Sequence, residues 1–189
     1  SLAWEEDFKR HDLGGTNGSY VDATDHIIYC GHGTTDATSM ARTDRDDANV
    51  TAADINGAWD QDLEWGWFHC CLNMSSTAWG GALDGSHTIS GAINVINGSK
   101  NWGKTIAQKL DSTWFADPAW TIWQSWWHSN DTNQPAGNQF RMLAEDYMHY
   151  NEYIWGEGNT ESDSNDSYCW STSQTVSKDR LSAQTFYGK

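Results

Sequence analysis

Two apolar runs in the first half of the sequence constrain the fold most strongly. Residues 25–30 (DHIIYC) and 64–70 (EWGWFHC) carry apolar side chains at consecutive positions. Such runs are typical of strands that are covered on both faces, as in the parallel sheets of α/β proteins. The first run stops at a histidine between two glycines, and the second ends on a pair of cysteines. Both strands therefore deliver chemically active side chains at their carboxyl ends.

The remainder of the chain alternates strands with helices. Residues 90–96 (SGAINVI) and 139–145 (QFRMLAE) predict strands. Residues 101–114 and 117–129 predict helices, the second with Asp117 as its N-cap. Because strands alternate with helices, the pattern predicts an α/β fold with a mainly parallel sheet.

The composition excludes two classes of partner. The formal net charge is −15, from 11 basic and 26 acidic residues, and a surface of this sign repels the phosphates of nucleic acids. The chain has no apolar run of about 18 residues, the length that a membrane span needs. We therefore expect no nucleic-acid partner and no membrane span.

Several features predict an extracellular or cell-surface location. The chain begins at Ser1, as a secreted protein does once its signal peptide is removed, although an excised domain would begin in the same way. The even number of cysteines permits two disulfides but does not decide the compartment. Asn-x-Ser/Thr sequons, which are candidates for N-linked glycans, occur at Asn17, Asn49, Asn73, Asn97, Asn130 and Asn165.

The ends of the two apolar runs indicate a reactive pair. In open α/β sheets the reactive groups lie beyond the carboxyl ends of the strands, so His32 and Cys71 would meet if their strands are neighbours. A thiolate beside an imidazole can attack an acyl group while the histidine moves the proton. Gly33 allows the backbone to turn, and the N–H groups of Gly33 and Cys71 could hold the developing oxyanion. The pair therefore predicts covalent acyl transfer.

These residues resemble the motifs of a known superfamily. The segment IIYCGHG is similar to the histidine motif, and WFHCCLNMS to the cysteine motif, of the caspase–gingipain–legumain superfamily of cysteine peptidases. The resemblance implies that His32 is the general base, that Cys71 is the nucleophile and that the substrate is a peptide. It also implies a caspase-like three-layer α/β/α sandwich.

A narrower resemblance covers more of the chain. The segments AWEEDFKR, GGALDGSHTISG and NEYIWGEG are similar to a family of secreted or cell-surface caspase-like domains without an established function, over roughly residues 3–158. We therefore expect a single domain over residues 1–189. Its core at 1–158 resembles this family, and a polar loop and β-rich tail follow at 159–189.

One departure from the superfamily affects the expected sheet. Only a short helix, at residues 1–10, precedes the strand at 25–30, so the first strands of a caspase-like sheet are missing and an apolar strand edge is left open. The β-segments predicted at residues 167–177 and 183–188 could cover this edge within the chain. They could also add to a neighbouring molecule, which would lead to self-association or a filament.

The other cysteines are disulfide candidates rather than catalytic ones. Cys70 directly precedes the expected nucleophile, and Cys30 lies on the adjacent strand, so a disulfide between them would crowd the site. Cys169 is expected to anchor the tail by a disulfide to Cys30 or Cys70.

No metal or cofactor is expected. His69 is predicted to pack in the core, whereas His128 and His149 are predicted to lie at the surface. The polar connections at residues 34–62 and 157–165 are rich in carboxylates but match a calcium loop only loosely, since the first lacks the glycine and the bidentate glutamate at their required positions. We expect solvated loops there.

Two functions of different classes remain open. The first is a secreted cysteine peptidase that uses His32 and Cys71. The second is a catalytically silent, glycosylated extracellular protein that self-associates, with its former catalytic edge closed by disulfides. The two motifs favour the first function, whereas the sequons and the missing strands favour the second.

Overall fold

The computed structural model describes residues 3–40, 48–83, 85–114, 118–160 and 170–177. These residues form strands β1 (His26–Cys30), β2 (His32–Thr34), β3 (Ala37–Ser39), β4 (Asn49–Thr51), β5 (Trp65–His69), β6 (Thr88–Ala92), β7 (Gln139–Ala144) and β8 (Trp170–Thr175). The α-helices are α1 (Ala52–Ile55), α2 (Trp102–Leu110) and α3 (Ile122–Asn133). Short 3₁₀ helices occur at Glu5–Asp7, His11–Leu13, Asn17–Ser19, Val21–Ala23, Ala78–Ala82, Ser112–Trp114 and Tyr147–Tyr150.

The main sheet has five strands in the order β1-β5-β6-β7-β8. Strands β1, β5 and β6 are parallel to one another, whereas β7 runs antiparallel to β6 and β8 runs antiparallel to β7. Four of the five strands therefore point in the same direction. The predicted α/β class is confirmed, with helices joined to a sheet whose strands mostly run one way.

The tail strand β8 and the open edge of β1 lie at the two opposite edges of this sheet. The expectation that residues 167–177 cover the edge of β1 within the chain is wrong, because β8 pairs with β7 at the far edge. Residues 183–188 lie outside the described residues. The outer edge of β1 pairs with no other strand in the described part of the chain, and Ile28 is 40% exposed. By contrast, β5 is buried at every position.

Each face of the main sheet is covered by its own apolar layer. On one face, α2 and α3 pack over the tryptophans of β5, with Trp102 and Trp126 buried among them. On the other face, Phe68 packs against Trp59 and Trp79 under the N-terminal 3₁₀ helices and α1. The core therefore lies on both sides of β5, which explains why this strand is apolar at consecutive positions.

Helix α3 begins later than the sequence predicted. Its cap is Thr121, whose side-chain oxygen accepts a hydrogen bond from the Gln124 N–H at 3.3 Å, so the prediction of Asp117 as the cap is wrong. At 12 residues, α3 is the longest of the described helices. None of the helices in the described segments is long and apolar enough to cross a membrane.

A second, smaller sheet occupies the polar connection that was expected to be a loop. Strands β2, β3 and β4 form an antiparallel sheet in that order. Its middle strand is anchored by the buried Thr38, and α1 follows β4 directly. Because β2 begins only two residues after β1, this small sheet sits at the carboxyl end of β1 and β5.

Candidate functional site

The histidine and cysteine singled out by the sequence lie beyond two neighbouring strands. β1 pairs in parallel with β5, and the register places Cys30 opposite His69. The ladder continues for one more bond, in which the Gly31 N–H donates to the His69 carbonyl oxygen at 3.4 Å. His32 and Cys71 follow at equivalent register positions, each two residues beyond the last pair. The two strands are therefore neighbours, which meets the condition that the sequence analysis set for this pair.

Gly33 brings the small sheet into close contact with the turn that holds Cys71. A Cβ atom at Gly33 would lie 2.9 Å from the Cys70 Cβ, and closer still to the Cys71 carbonyl oxygen. Both distances are too short for a real side chain. The close approach of the backbone therefore requires a glycine here. The backbone angle φ of Gly33 is not in the left-handed region, so it is not the reason for the glycine.

The Cys71 thiol is free and half-buried, whereas His32 is exposed. The Cys71 Sγ accepts a hydrogen bond from the Ile96 N–H at 3.4 Å and lies 3.5 Å from the Ile96 carbonyl oxygen. The side chain contacts the apolar layer beneath α2 and α3. The sulfur is thus held in a fixed position by the backbone that follows β6.

Burial affects the thiols of the two neighbouring cysteines, Cys70 and Cys30. Cys70 is completely buried, and burial raises the pKa of its thiol to about 12. Partial burial also raises the pKa of Cys30. Both thiols are free, so the disulfide that was considered between them is not formed. Cys169 lies outside the described residues. A raised pKa keeps a thiol protonated at neutral pH and therefore poorly nucleophilic.

His69 packs in the core, as predicted. Its ring stacks on Trp102 at 4.5 Å between centroids, and its Nε2 lies 3.2 Å from the Asn97 carbonyl oxygen. Burial lowers the pKa of His69 to about 4, so the ring is neutral at physiological pH. His69 therefore supports the end of β5 through its buried contacts, and its low pKa makes it a weak base.

The sequons divide into buried and exposed asparagines. The buried ones use their side-chain amides inside the fold: Asn17 donates to the Ala58 carbonyl oxygen, Asn73 accepts from the Ala92 N–H at 3.0 Å, and Asn130 accepts from the Trp102 indole at 2.7 Å. A glycan on any of these amides would require the surrounding core to open. Asn49 and Asn97 are exposed, and Asn165 lies outside the described residues.

The acidic connections are used for local structure where they are described. The Asp54 carboxylate accepts hydrogen bonds from the N–H and the hydroxyl of Thr51, at 2.8 and 2.6 Å, and so caps α1. The Glu157 carboxylate accepts from the Ser112 N–H at 3.3 Å. Residues 41–47 and 161–169, which hold most of the other carboxylates of these connections, lie outside the described residues.

A second cluster of titratable side chains was missed by the sequence analysis. The His87 Nδ1 lies 3.0 Å from one Glu152 carboxylate oxygen, and the His149 Nδ1 lies 3.3 Å from the same oxygen. The two imidazole rings stack at 4.1 Å between centroids. The prediction that His149 lies at the surface is wrong, since it is 1% exposed, and His128 is half-buried against Trp120.

This buried cluster lies at the other end of the main sheet. His87 immediately precedes β6, and Glu145 immediately follows β7, which is antiparallel to β6. Burial tends to raise the pKa of Glu152, but hydrogen bonds from His149, His87 and the Trp65 indole outweigh it and hold the pKa below its usual value. Glu152 is therefore an anion in the core. Only the final fold brings His87 to Glu145, His149 and Glu152, because His87 lies far from the other three along the chain.

The comparisons with known proteins identify a family but no activity. Residues 1–174 match the family model described as "Domain of unknown function (DUF6345)", and the chain therefore belongs to this family. No curated protein and no solved structure matches the chain.

Proposed function

We propose that this DUF6345 domain is a caspase-like cysteine peptidase whose nucleophile is Cys71 and whose general base is His32. The observation that supports the proposal best is the register of the main sheet, in which both residues occupy equivalent positions beyond the adjacent parallel strands β1 and β5. The free, half-buried thiol of Cys71 beside two less reactive thiols adds to this support.

The proposed reaction uses the exposed imidazole as a proton carrier. His32 takes the proton of the Cys71 thiol, and the sulfur attacks the carbonyl carbon of the scissile peptide bond. A carbon–sulfur bond forms, and the carbonyl oxygen becomes an oxyanion near the N–H groups of Gly33 and Cys71. The carbon–nitrogen bond then breaks, and His32 gives its proton to the leaving amine.

Hydrolysis of the thioester completes the cycle. His32 removes a proton from a water molecule, the resulting hydroxide attacks the thioester carbon, and the carbon–sulfur bond breaks. The Cys71 thiolate recovers the proton, and the products are a carboxylic acid and an amine. The net charge of −15 favours the approach of cationic peptides over anionic ones.

Cleavage of a peptide library tests this proposal directly. The domain is incubated with a mixture of tryptic and chymotryptic peptides, and new termini are detected by mass spectrometry. The wild type is expected to cleave a subset of peptides, and both Cys71→Ala and His32→Ala are expected to abolish this cleavage. Cys30→Ala removes a neighbouring thiol of the same kind and is expected to retain activity. Cleavage that survives in Cys71→Ala, or that is absent from the wild type, would contradict the proposal.

A second candidate function, self-association on or outside the cell, is favoured by the open edge of β1. That edge carries the exposed Ile28, and an unpaired strand edge can add a strand from another molecule. The exposed sequons Asn49 and Asn97 are the proposed glycan sites in the described residues. Light scattering after size exclusion tests this function: it predicts oligomers that dissociate in Ile28→Lys, and a monomeric wild type at all concentrations would exclude it.

A further inference from the structure

The buried cluster around Glu152 has the composition and spacing of a metal centre. We infer that His87, His149 and Glu152 bind a single divalent transition-metal ion, for which Zn²⁺ is the best match. One ligand atom from each residue lies within 4.8 Å of the other two, and this is the only such group of His, Cys, Asp and Glu among the described residues. Two imidazole nitrogens with a carboxylate oxygen form a ligand set that zinc uses in proteins.

Two of the three distances between the ligand atoms are close to those of tetrahedral coordination. Zinc binds nitrogen and oxygen at about 2.0–2.2 Å, so adjacent ligand atoms of a tetrahedral site are separated by roughly 3.3–3.5 Å. The His149 Nδ1 lies 3.3 Å from the Glu152 oxygen, and the His87 Nδ1 lies 3.0 Å from it. A small outward movement of the His87 ring would open the site to the tetrahedral spacing.

The second layer of contacts, which Glu145 and Trp65 make with the three proposed ligand residues, is the independent observation that points to a metal. Histidines that bind a metal through one ring nitrogen usually donate the other N–H to a carboxylate or a carbonyl group. The Nε2 of His149 lies 3.6 Å from a carboxylate oxygen of Glu145, an ion-pair contact just beyond hydrogen-bond distance, on the side of the ring away from Glu152. The Trp65 indole donates to the other Glu152 oxygen at 2.5 Å, which orients that carboxylate.

The charge balance of the cluster is consistent with a cation. Glu145 and Glu152 are 2% and 1% exposed, and a buried carboxylate is costly unless it is paired or coordinated to a metal. A divalent ion would balance both carboxylates while the two histidines stay neutral, as metal ligands must.

The inferred site is separate from the proposed peptidase site. Trp65 is the first residue of β5, whereas Cys71 lies two residues beyond its last residue. The two sites therefore lie at opposite ends of a five-residue strand that is roughly 17 Å long. The metal would join the turn at Tyr147–Tyr150 to β6 and β7, and we therefore assign it a structural role. This inference does not depend on peptidase activity.

Metal analysis of the untagged protein tests the inference. The domain is purified without chelators, dialysed against excess Zn²⁺ and then against metal-free buffer, and its zinc content is measured by mass spectrometry. We expect about one zinc ion per chain, and we expect Glu152→Gln and His87→Asn to lose it. His69→Asn, which changes a buried histidine at the other end of β5, is the matched control and is expected to retain the ion.

The second layer gives a graded test. Glu145→Gln keeps the shape of the side chain but removes its charge next to the His149 Nε2. Loss of such a partner weakens metal binding by about 10- to 100-fold. Competition with a chromophoric chelator is expected to detect a decrease of that size. An unchanged affinity would show that Glu145 does not support the metal ligand and would overturn the assigned geometry.

Two results would overturn the inference as a whole. The first is a wild type that holds no stoichiometric zinc after dialysis, which would leave a metal-free hydrogen-bonded cluster. The second is zinc that remains in Glu152→Gln, which would place the ion elsewhere, such as at the cysteines. If the variants fail to fold, the Co²⁺ form of the wild type decides: a tetrahedral visible spectrum without a thiolate charge-transfer band supports the site, and a thiolate band contradicts it.

Discussion

The two ends of β5 hold side chains of similar chemistry in opposite environments. At the carboxyl end, His32 is exposed and Cys71 is half-buried, next to a small sheet that packs through a glycine. At the amino end, His149 and Glu152 are each 1% exposed and are joined by a hydrogen bond of 3.3 Å. Access to solvent allows turnover of a substrate, whereas complete burial favours a fixed structural contact. The comparison therefore separates an end suited to reaction from an end suited to stability.

The largest expected effect is at the buried end. Glu152→Ala leaves the two histidines and the Trp65 indole without their shared acceptor. Removing one partner from a buried charged network costs about 3–5 kcal/mol in the free energy of unfolding. Urea denaturation measures the change. Asp62→Ala, at an exposed carboxylate, is the control and is expected to change stability by less than about 0.5 kcal/mol. Equal losses in the two variants would remove the contrast between the ends.

A tryptophan pair isolates one contact of that network. Trp65→Phe removes the hydrogen bond to Glu152, whereas Trp126→Phe removes the same atoms from a buried indole whose N–H has no partner among the described residues. A hydrogen bond to a charged group contributes about 1.5–3 kcal/mol. We expect Trp65→Phe to be the more destabilising of the two by this amount in thermal or urea unfolding. A smaller loss in Trp65→Phe than in Trp126→Phe would contradict the assigned role of the bond.

A glycine pair tests the packing at the exposed end. Gly33→Ala places a Cβ against the backbone of Cys71, and overpacking of this kind costs about 1–3 kcal/mol. Gly98→Ala adds the same methyl group where no atom lies within 4 Å, and it is expected to be neutral. Urea unfolding compares the two variants. A neutral Gly33→Ala would show that the small sheet does not press on the Cys71 turn.

The smallest effect is a pH dependence at His69. The unfolded histidine gains a proton below about pH 6.5, whereas the folded one stays neutral until its pKa of about 4. The unfolded state therefore binds more protons in this range, and stability falls as the pH falls, by about 1–2 kcal/mol between pH 7.5 and 5. His69→Gln is expected to lose this contribution, measured as the difference in unfolding free energy between the two pH values. The control variant His11→Gln changes an exposed histidine and is expected to keep the pH dependence of the wild type.

The sequence pattern found the two strands that lead to His32 and Cys71 but not the cluster at the other end of β5, for a physical reason. His32 and Cys71 each lie two residues after an apolar strand, so the strand pattern was enough to place them beyond β1 and β5. His87, His149 and Glu152 come from a strand start and a later turn. Their meeting depends on the antiparallel pairing of β6 with β7, which hydrophobic periodicity does not specify.

The errors in the fold prediction have a similar origin. The strands β2, β3 and β4 are short and lie in a polar segment, so they carry no apolar signal and are held by pairing with one another. β8 also lacks a strong apolar pattern, and its place beside β7 is decided by tertiary pairing. His149 was expected at the surface because an isolated histidine in a polar context usually lies there. The signal that could have revealed it was the Glu145, His149 and Glu152 spacing, with carboxylates four residues before and three after the histidine.

The rate of Cys71 alkylation tests the central claim most directly. The protein is treated with iodoacetamide without reductant across a range of pH, and peptide mapping follows Cys71 alongside Cys30 and Cys70 as internal references. An activated thiolate is expected to react about 10-fold faster than either reference at neutral pH, and to lose this advantage in His32→Ala. A Cys71 that reacts no faster than the buried Cys70, or a rate that His32→Ala leaves unchanged, would show that the exposed end of β5 holds no reactive pair.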